Sequence, residues 1–310
     1  MKLHSIPLFA VAGLLLAQEL PQPPRRGSSR WGKDDQRGAI QYITPEKTIE
    51  AARLIRTGQF YSLGRVYEEA MPNVSGRSYT LIIPMPNPPV GKNRISGHDE
   101  FVATQIGQVG TQFDGLGHVG IGDTFYNGNE RKDFVTYKGL TKLGIENVGV
   151  FFTRGILLNI AALKGKARLE KGYEITDADL KQALDRQGLK VRSGDAVLIH
   201  TGWGSLWMVD NALYTSGQPG IGVPAARFLV SQQISLVGSD NWGVDVHPHP
   251  TPGLMYPAHQ VLIPQNGTYI LENLDTSGLA RDKVQEFAFI FSPLRMKGAT
   301  GSPGNPIAVR

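Results

Sequence analysis

The run Ser193-Gly194-Asp195-Ala196-Val197-Leu198-Ile199 decides how this chain is built. Four consecutive apolar residues follow a Ser-Gly-Asp turn, the profile of a strand buried on both faces. Ile234–Val237 repeats the pattern downstream, and Phe287–Phe291 makes a last apolar strand before a Gly/Pro-rich tail. Tyr79–Ile83 also reads as strand. Helices sit between these runs without regular alternation. One is expected over Pro45–Thr57, with Thr44 as N-cap, Pro45 at the first helical position and Gly58 as the stop. Ile49, Ala52 and Leu54–Ile55 would form its apolar face. A second spans Asp177–Arg186, where Thr176 and Asp179 have the spacing of a capping box. A third begins near Pro224 and turns Ala225, Phe228 and Leu229 inward. Short strands outnumber helices, so the chain reads as a single mixed α/β domain. It has a central sheet or barrel with peripheral helices, and is not doubly wound.

Composition narrows the chemistry. The 310 residues are 41% apolar and 19% charged, an ordinary balance for a packed core, and 37 Gly with 20 Pro imply many turns. Thirty-two basic residues nearly match 27 acids, and they are scattered. The net charge of +5 therefore describes a solvated surface rather than a nucleic-acid stripe. There is no cysteine, which excludes disulfides, thiolate catalysis and thiolate metal sites. Any metal must be held by imidazole, carboxylate, amide or water, a donor set suited to Mn²⁺ or Zn²⁺.

Lys2 and His4 precede an apolar run from Ile6 to Ala17, interrupted by Pro7 and Gly13. It is too short for a stable bilayer span but suits the core of a signal peptide, read here as residues 1–17. The expectation is an exported protein, periplasmic or secreted, with no stable membrane anchor after cleavage. Residues 18–43 follow as a linker or surface arm, and 44–310 form the catalytic domain.

The densest polar constellation is Gln105-Ile-Gly-Gln108-Val-Gly-Thr-Gln112-Phe-Asp114-Gly-Leu-Gly-His118. Along a strand, positions 108, 110, 112 and 114 share a face. Gln112 and Asp114 would then be neighbours, and the Gly115-Leu-Gly117 turn would bring His118 over them. An Asp with amide oxygens and a nearby imidazole suits a divalent ion. A polar loop with a capping Asp and a surface His fits the spacing equally well. A second cluster holds Asp245, His247 and His249, then His259 and, thirteen residues later, Glu272. Asn266-Gly267 reads as the turn of a hairpin between Gln260–Ile263 and Tyr269–Leu271, which would bring His259 to Glu272. That pair reads as a metal or acid–base site, or as a surface His–Glu pair.

Together these segments resemble the cyclase family, which includes bacterial kynurenine formamidase and isatin hydrolase. Its motif His-x-Gly-Thr-His-x-Asp-x-x-x-His is matched by Gln108-Val-Gly110-Thr111-Gln112-Phe-Asp114-Gly-Leu-Gly-His118. Arg154-Gly155-Ile-Leu-Leu-Asn159, Gly194-Asp195 through Thr201-Gly202-Trp203, Gly238-Ser-Asp240-Asn241 and His259 through Glu272-Asn-Leu follow in the family's order. The similarity runs from about Thr44 to Arg295.

The resemblance implies an α/β fold with a central β-barrel-like sheet, assembled as a homodimer or homotetramer. It implies divalent metal held by Gln108, Gln112, Asp114, His259 and Glu272, with His118 as the catalytic base. The chain departs from the motif in Gln108 and Gln112, where the family has His, and Asn159 stands where relatives often have Asp. A glutamine oxygen is a weaker and harder ligand than imidazole, which either shifts preference from Zn²⁺ toward Mn²⁺, Mg²⁺ or Ca²⁺ or leaves only a site centred on Asp114, His259 and Glu272.

The implied reaction is hydrolysis of a small amide, lactam or ester, arylformamidase-like, acting on C–N bonds other than peptide bonds. Phe113, Trp203 and Trp242, with Tyr126, are candidate walls for an aryl substrate or, equally, core aromatics. A lactonase or cyclase on the same site, or a silent small-molecule-binding homologue, remains an alternative. No Gly-x-Ser-x-Gly elbow, His-Glu-x-x-His, phosphate loop or dinucleotide fingerprint is present.

Overall fold

The computed structural model describes residues 20–85 and 88–310. The signal-peptide reading falls on residues outside these. Among the described residues, no helix is long and apolar enough to cross a membrane.

Nine strands form the central sheet. From one edge they are Phe60–Ser62, Ile307–Val309, Glu286–Phe291, Phe151–Asn159, Ala196–His200, Leu236–Ser239, Tyr269–Glu272, Gln112–Asp114 and Gly301–Pro303. The sheet curls into a half-barrel. The four strands from Phe151–Asn159 to Tyr269–Glu272 are mutually parallel. The strands flanking this block pair antiparallel. Ala196–Ile199 is buried on both faces, as its unbroken apolar run requires.

The capping-box helix spans Asp177–Gln187, and both reciprocal Thr176–Asp179 hydrogen bonds are present. The third helix is Val223–Ser231, with Ala225 and Leu229 buried and Phe228 packed at the core's margin. Other expectations need correction. The first helix keeps its Thr44 cap but ends at Ala52, and Ile49 and Ile55 are exposed. Its buried face is Ala51 and Lys47, because the Lys47 ammonium reaches Asp195 at 2.5 Å. The Ile234–Val237 strand is shifted to Leu236–Ser239. The Gly/Pro-rich tail is not strand-free, since Gly301–Pro303 and Ile307–Val309 both join the sheet.

The expected hairpin is absent. Pro257–Gln260 is α-helical and continues as a π-helical turn over Val261–Gln265, so only its second half, Tyr269–Glu272, is strand. Val-Leu-Ile is as compatible with a buried helix as with a strand. The choice is made by Asp245, whose carboxylate accepts the Ala258 and His259 backbone N–H groups at the helix start.

The core surrounds Phe113, which packs on Tyr269, Phe151 and Phe291 with ring centroids 5.1–5.5 Å apart. Behind it, buried Arg154 pairs with Asp195 at 2.7 Å, tying two parallel strands together. Residues 20–43 lie along the domain: Asn127 donates to the backbone of Gly32, Lys33 and Asp35, and Tyr126 donates to Asp35.

Candidate metal centre

Gln112–Asp114 is a three-residue strand, and alternation divides it cleanly. Phe113 enters the core, while Gln112 and Asp114 face a cavity of about 220 Å³. The strand runs antiparallel to Tyr269–Glu272 in a register that sets Gln112 opposite Glu272. The segment before it is a turn rather than a continued strand. It passes through Gly110 at φ +58°, where a β-carbon would meet the Tyr67 ring at 2.7 Å. This turn folds Gln108 back, so that its Nε2 donates to Asp114 Oδ1 at 2.7 Å. Gln112 Nε2 donates to Glu272 Oε2 at 2.5 Å.

Each carboxylate thus has one oxygen held by a glutamine amide and one facing His259. His259 Nε2 lies 3.6 Å from Asp114 Oδ2 and 3.3 Å from Glu272 Oε1. Its Nδ1 is bound to Asp245 at 2.5 Å, which fixes the ring and aims Nε2 into the cavity. Glu272 Oε1 also accepts the Val244 N–H at 2.9 Å. The ligand atoms of Asp114, His259 and Glu272 all lie within 4.8 Å of one another, and all three residues are buried. His118 follows a turn in which its N–H donates to Gly115 O, and its Nε2 stands 3.7 Å from Asp114 Oδ1 at the cavity's open side.

The electrostatics are those of a site built around positive charge. Burial pushes the Asp114 carboxyl up, but the His118 and His259 imidazoles beside it and the hydrogen bond from Gln108 outweigh it and hold it below its usual value. Burial, with the charge of Asp114, pushes Glu272 up. Burial alone would depress His259, yet Asp245 and the two cavity carboxylates beside its Nε2 lift it well above the ordinary imidazole value. Two buried carboxylates converge on one proton-holding imidazole, an arrangement a divalent cation would relieve.

The expected ligand set is therefore refined. Asp114, His259 and Glu272 offer oxygen and nitrogen lone pairs to one point. Gln108 and Gln112 are brought to the same cavity, but they point amide nitrogens at the carboxylates. In this arrangement the amide N–H groups hold the two carboxylates, and the amide oxygens remain the glutamines' own acceptors. Among the aromatic candidates only Trp242 lines the cavity. Phe113 is fully buried in the core, so it cannot wall a substrate. Trp203 is buried outside the cavity, and both indole N–H groups donate to the Tyr214 carbonyl. Tyr126 serves the N-terminal arm. Asn159 caps the short Ile160–Leu163 helix, away from the centre. Asp240 binds the Thr201 and Gly202 N–H groups and so braces a loop.

Three contributors escaped the sequence reading as site residues. Asp245 was visible beside His247, but nothing in its spacing pairs it with His259. Tyr256 and Arg77 also line the cavity, and neither belongs to a motif. His247 stacks with Tyr256, while His249 Nδ1 accepts the Thr251 N–H, so neither joins the centre.

The Cyclase family model matches residues 33–246. A solved structure described as a novel cyclase is 35% identical, with a TM-score of 0.84 over 93% of this chain and 98% of that one. The chain belongs to the Cyclase family. More distant solved structures share the fold. Isatin hydrolase A from Ralstonia solanacearum superposes with a TM-score of 0.60 at 17% identity, over 86% of this chain and 98% of its own. Isatin hydrolase A from Labrenzia aggregata, bound to benzyl benzoate, gives 0.58 at 18% identity, over 83% and 94%. At such identities these two share the cyclase-family fold alone. No curated protein sequence matches the chain.

Proposed function

We propose that this cyclase-family protein is a metal-dependent hydrolase that cuts a small amide, lactam or ester, with an aryl formamide as the model substrate. The observation that carries the reading is the convergence of Asp114 Oδ2, His259 Nε2 and Glu272 Oε1 beside the accessible His118 imidazole. One divalent ion, Mn²⁺ or Zn²⁺, suits this donor set of two carboxylates and an imidazole. When bound, such an ion supplies Lewis-acid polarisation of a carbonyl and acidifies water.

The chain's own residues perform the proton work. His118 Nε2 takes a proton from the attacking water as its oxygen bonds to the acyl carbon. The C–N or C–O bond then breaks, and His118 returns the proton to the leaving atom. Asp114, 3.7 Å from Nε2, stabilises the imidazolium between these events. Trp242, Met255, Val74 and Val119 give the cavity apolar walls for the acyl compound to pack against. Its volume of about 220 Å³ accommodates a single ring with its acyl substituent. Homologues solved with benzyl benzoate and with thioisatinate, a product analogue, support a small aryl acyl compound as ligand. The Ile6–Ala17 run supports export of the mature enzyme.

Elemental analysis of protein purified without chelator, followed by turnover of N-formyl, lactam, lactone and ester compounds, tests the reading. One equivalent of metal and hydrolysis of at least one class is the expected result. No metal, and none taken up on titration with Mn²⁺ or Zn²⁺, overturns it and leaves a small-molecule-binding homologue.

A further inference from the structure

We propose that the compound bound in this cavity carries a carboxylate, and that Arg77 receives it. The inference rests on the hydrolase reading for the location of the scissile bond, but the observation behind it is separate. The Arg77 side chain lines the cavity that holds Asp114, His118, His259 and Glu272. Its Nη1 donates to the Gln108 carbonyl at 3.3 Å, and it forms no ion pair among the described residues. The turn before it fixes its position: Arg77 N donates to Val74 O at 3.2 Å, with Ser75 and Gly76 both at positive φ.

Charge bookkeeping gives the direction. The two cavity carboxylates are already engaged, Asp114 by Gln108 and His259, and Glu272 by Gln112, Val244 and His259. A divalent ion among them cancels both negative charges. His259 then contributes a neutral imidazole, the charge of Asp245 stays behind that ring and outside the cavity lining, the glutamines are neutral, and Arg77 is left as a cavity-lining cation with no carboxylate partner. A neutral ligand filling so small a cavity would strip water from the guanidinium and offer nothing in return. A carboxylate matches its planar fork with two parallel hydrogen bonds.

The distance scale is set by one residue. The Gln108 carbonyl holds Arg77, and the Gln108 side chain holds Asp114. The charged group therefore sits one short spacer from the acyl carbon. Trp242 and Tyr256 line the same cavity and offer aromatic faces to an aryl spacer. The substrate class this defines is a small aryl acid bearing a hydrolysable acyl group.

The test compares 3-formamidobenzoate with formanilide, a pair that differs only in the carboxylate, on the Mn²⁺-loaded full-length protein. The readout is the ratio of their kcat/KM values. Wild type should favour the acid at least tenfold, and Arg77→Met should erase most of that preference through KM. Arg77→Lys should retain part of it. A structural role for Arg77 would depress both substrates together and leave the ratio intact, which overturns the proposal. Where neither compound turns over, the hydrolase reading is at issue, and calorimetric binding of benzoate against benzyl alcohol decides the inference. Preference for benzoate in wild type, lost in Arg77→Met, supports it. Equal binding, no binding, or a preference that survives the substitution overturns it.

Discussion

Gln112 and Glu272 face each other across two antiparallel strands, and the Gln112 amide donates to Glu272 Oε2 at 2.5 Å. The strand register itself delivers the contact, so the glutamine is a built-in donor for a buried carboxylate. Gln112→Leu removes that donor while keeping the volume nearly constant. The metal-free protein should lose about 1–3 kcal/mol, the cost of a buried acceptor left unsatisfied. Urea unfolding that gives a lower midpoint with an unchanged slope would register this.

The same contact sets the metal count. Two amides that hold carboxylates leave three ligands for one ion, so wild type should bind one equivalent of Mn²⁺ or Zn²⁺. Restoring imidazoles at both positions, as Gln108→His with Gln112→His, should add ligand capacity and raise the count toward two. Two tight equivalents in the wild type would mean that the glutamine oxygens ligate after all.

Asp245 orients His259 without reaching the cavity. Asp245→Asn keeps the shape but offers an amide where the imidazole and two backbone N–H groups need an acceptor. Metal affinity should fall roughly 10–100-fold, as for other residues that orient a ligating imidazole. Competition titration against a fluorescent chelator measures this directly. Unchanged affinity would leave Asp245 as a helix cap only.

His118 stands apart from the three-ligand cluster. His118→Ala should lower kcat by about 10²–10⁴-fold, the usual worth of a general base. Metal content and the unfolding midpoint should stay near wild type. Loss of metal together with turnover would reassign His118 as a ligand.

The raised pKa of His259 has a definite sign. The folded, metal-free protein holds this proton more tightly than the unfolded chain does. Its contribution to stability is therefore complete below about pH 6.5, the unfolded value, and is lost as pH rises through the folded value. A metal ion must displace the proton, so its apparent affinity should strengthen as pH rises over the same window. Thermal unfolding of chelator-treated wild type and His259→Asn across this range should show a slope in the former that the latter lacks. Calorimetry in buffers of different ionisation enthalpy should detect proton release on metal uptake.

Much of this centre is legible in the sequence. The motif around Gln108–His118 names Asp114 and His118, and both line the cavity. His259 and Glu272 do meet, though by a route the sequence concealed. Asn266-Gly267 marks a real turn, with Gly267 at φ +64°. Yet the chain before it is helical, because its cap comes from Asp245, fourteen residues upstream of His259. No local propensity encodes that long-range bond. The capping box at Thr176 is entirely local, and it was readable in full. The tail strands were hidden for the opposite reason. Gly301–Pro303 has little strand propensity and pairs only because Gln112–Asp114 presents it with a free edge. Lys47 likewise turns the first helix around, since its buried partner Asp195 lies 148 residues away.

That pairing at Gly301–Pro303 has a consequence for synthesis. Asp114 lies on a strand held on one side by Ile270 and on the other by Gly301, and Gly115 N donates to Thr300 O at 2.9 Å. A nascent chain emerging through Glu272 already carries every proposed ligand, yet its ligand-bearing strand still has an open edge. Residues 300–303 close that edge, so a chain cut before them should lose order at Asp114.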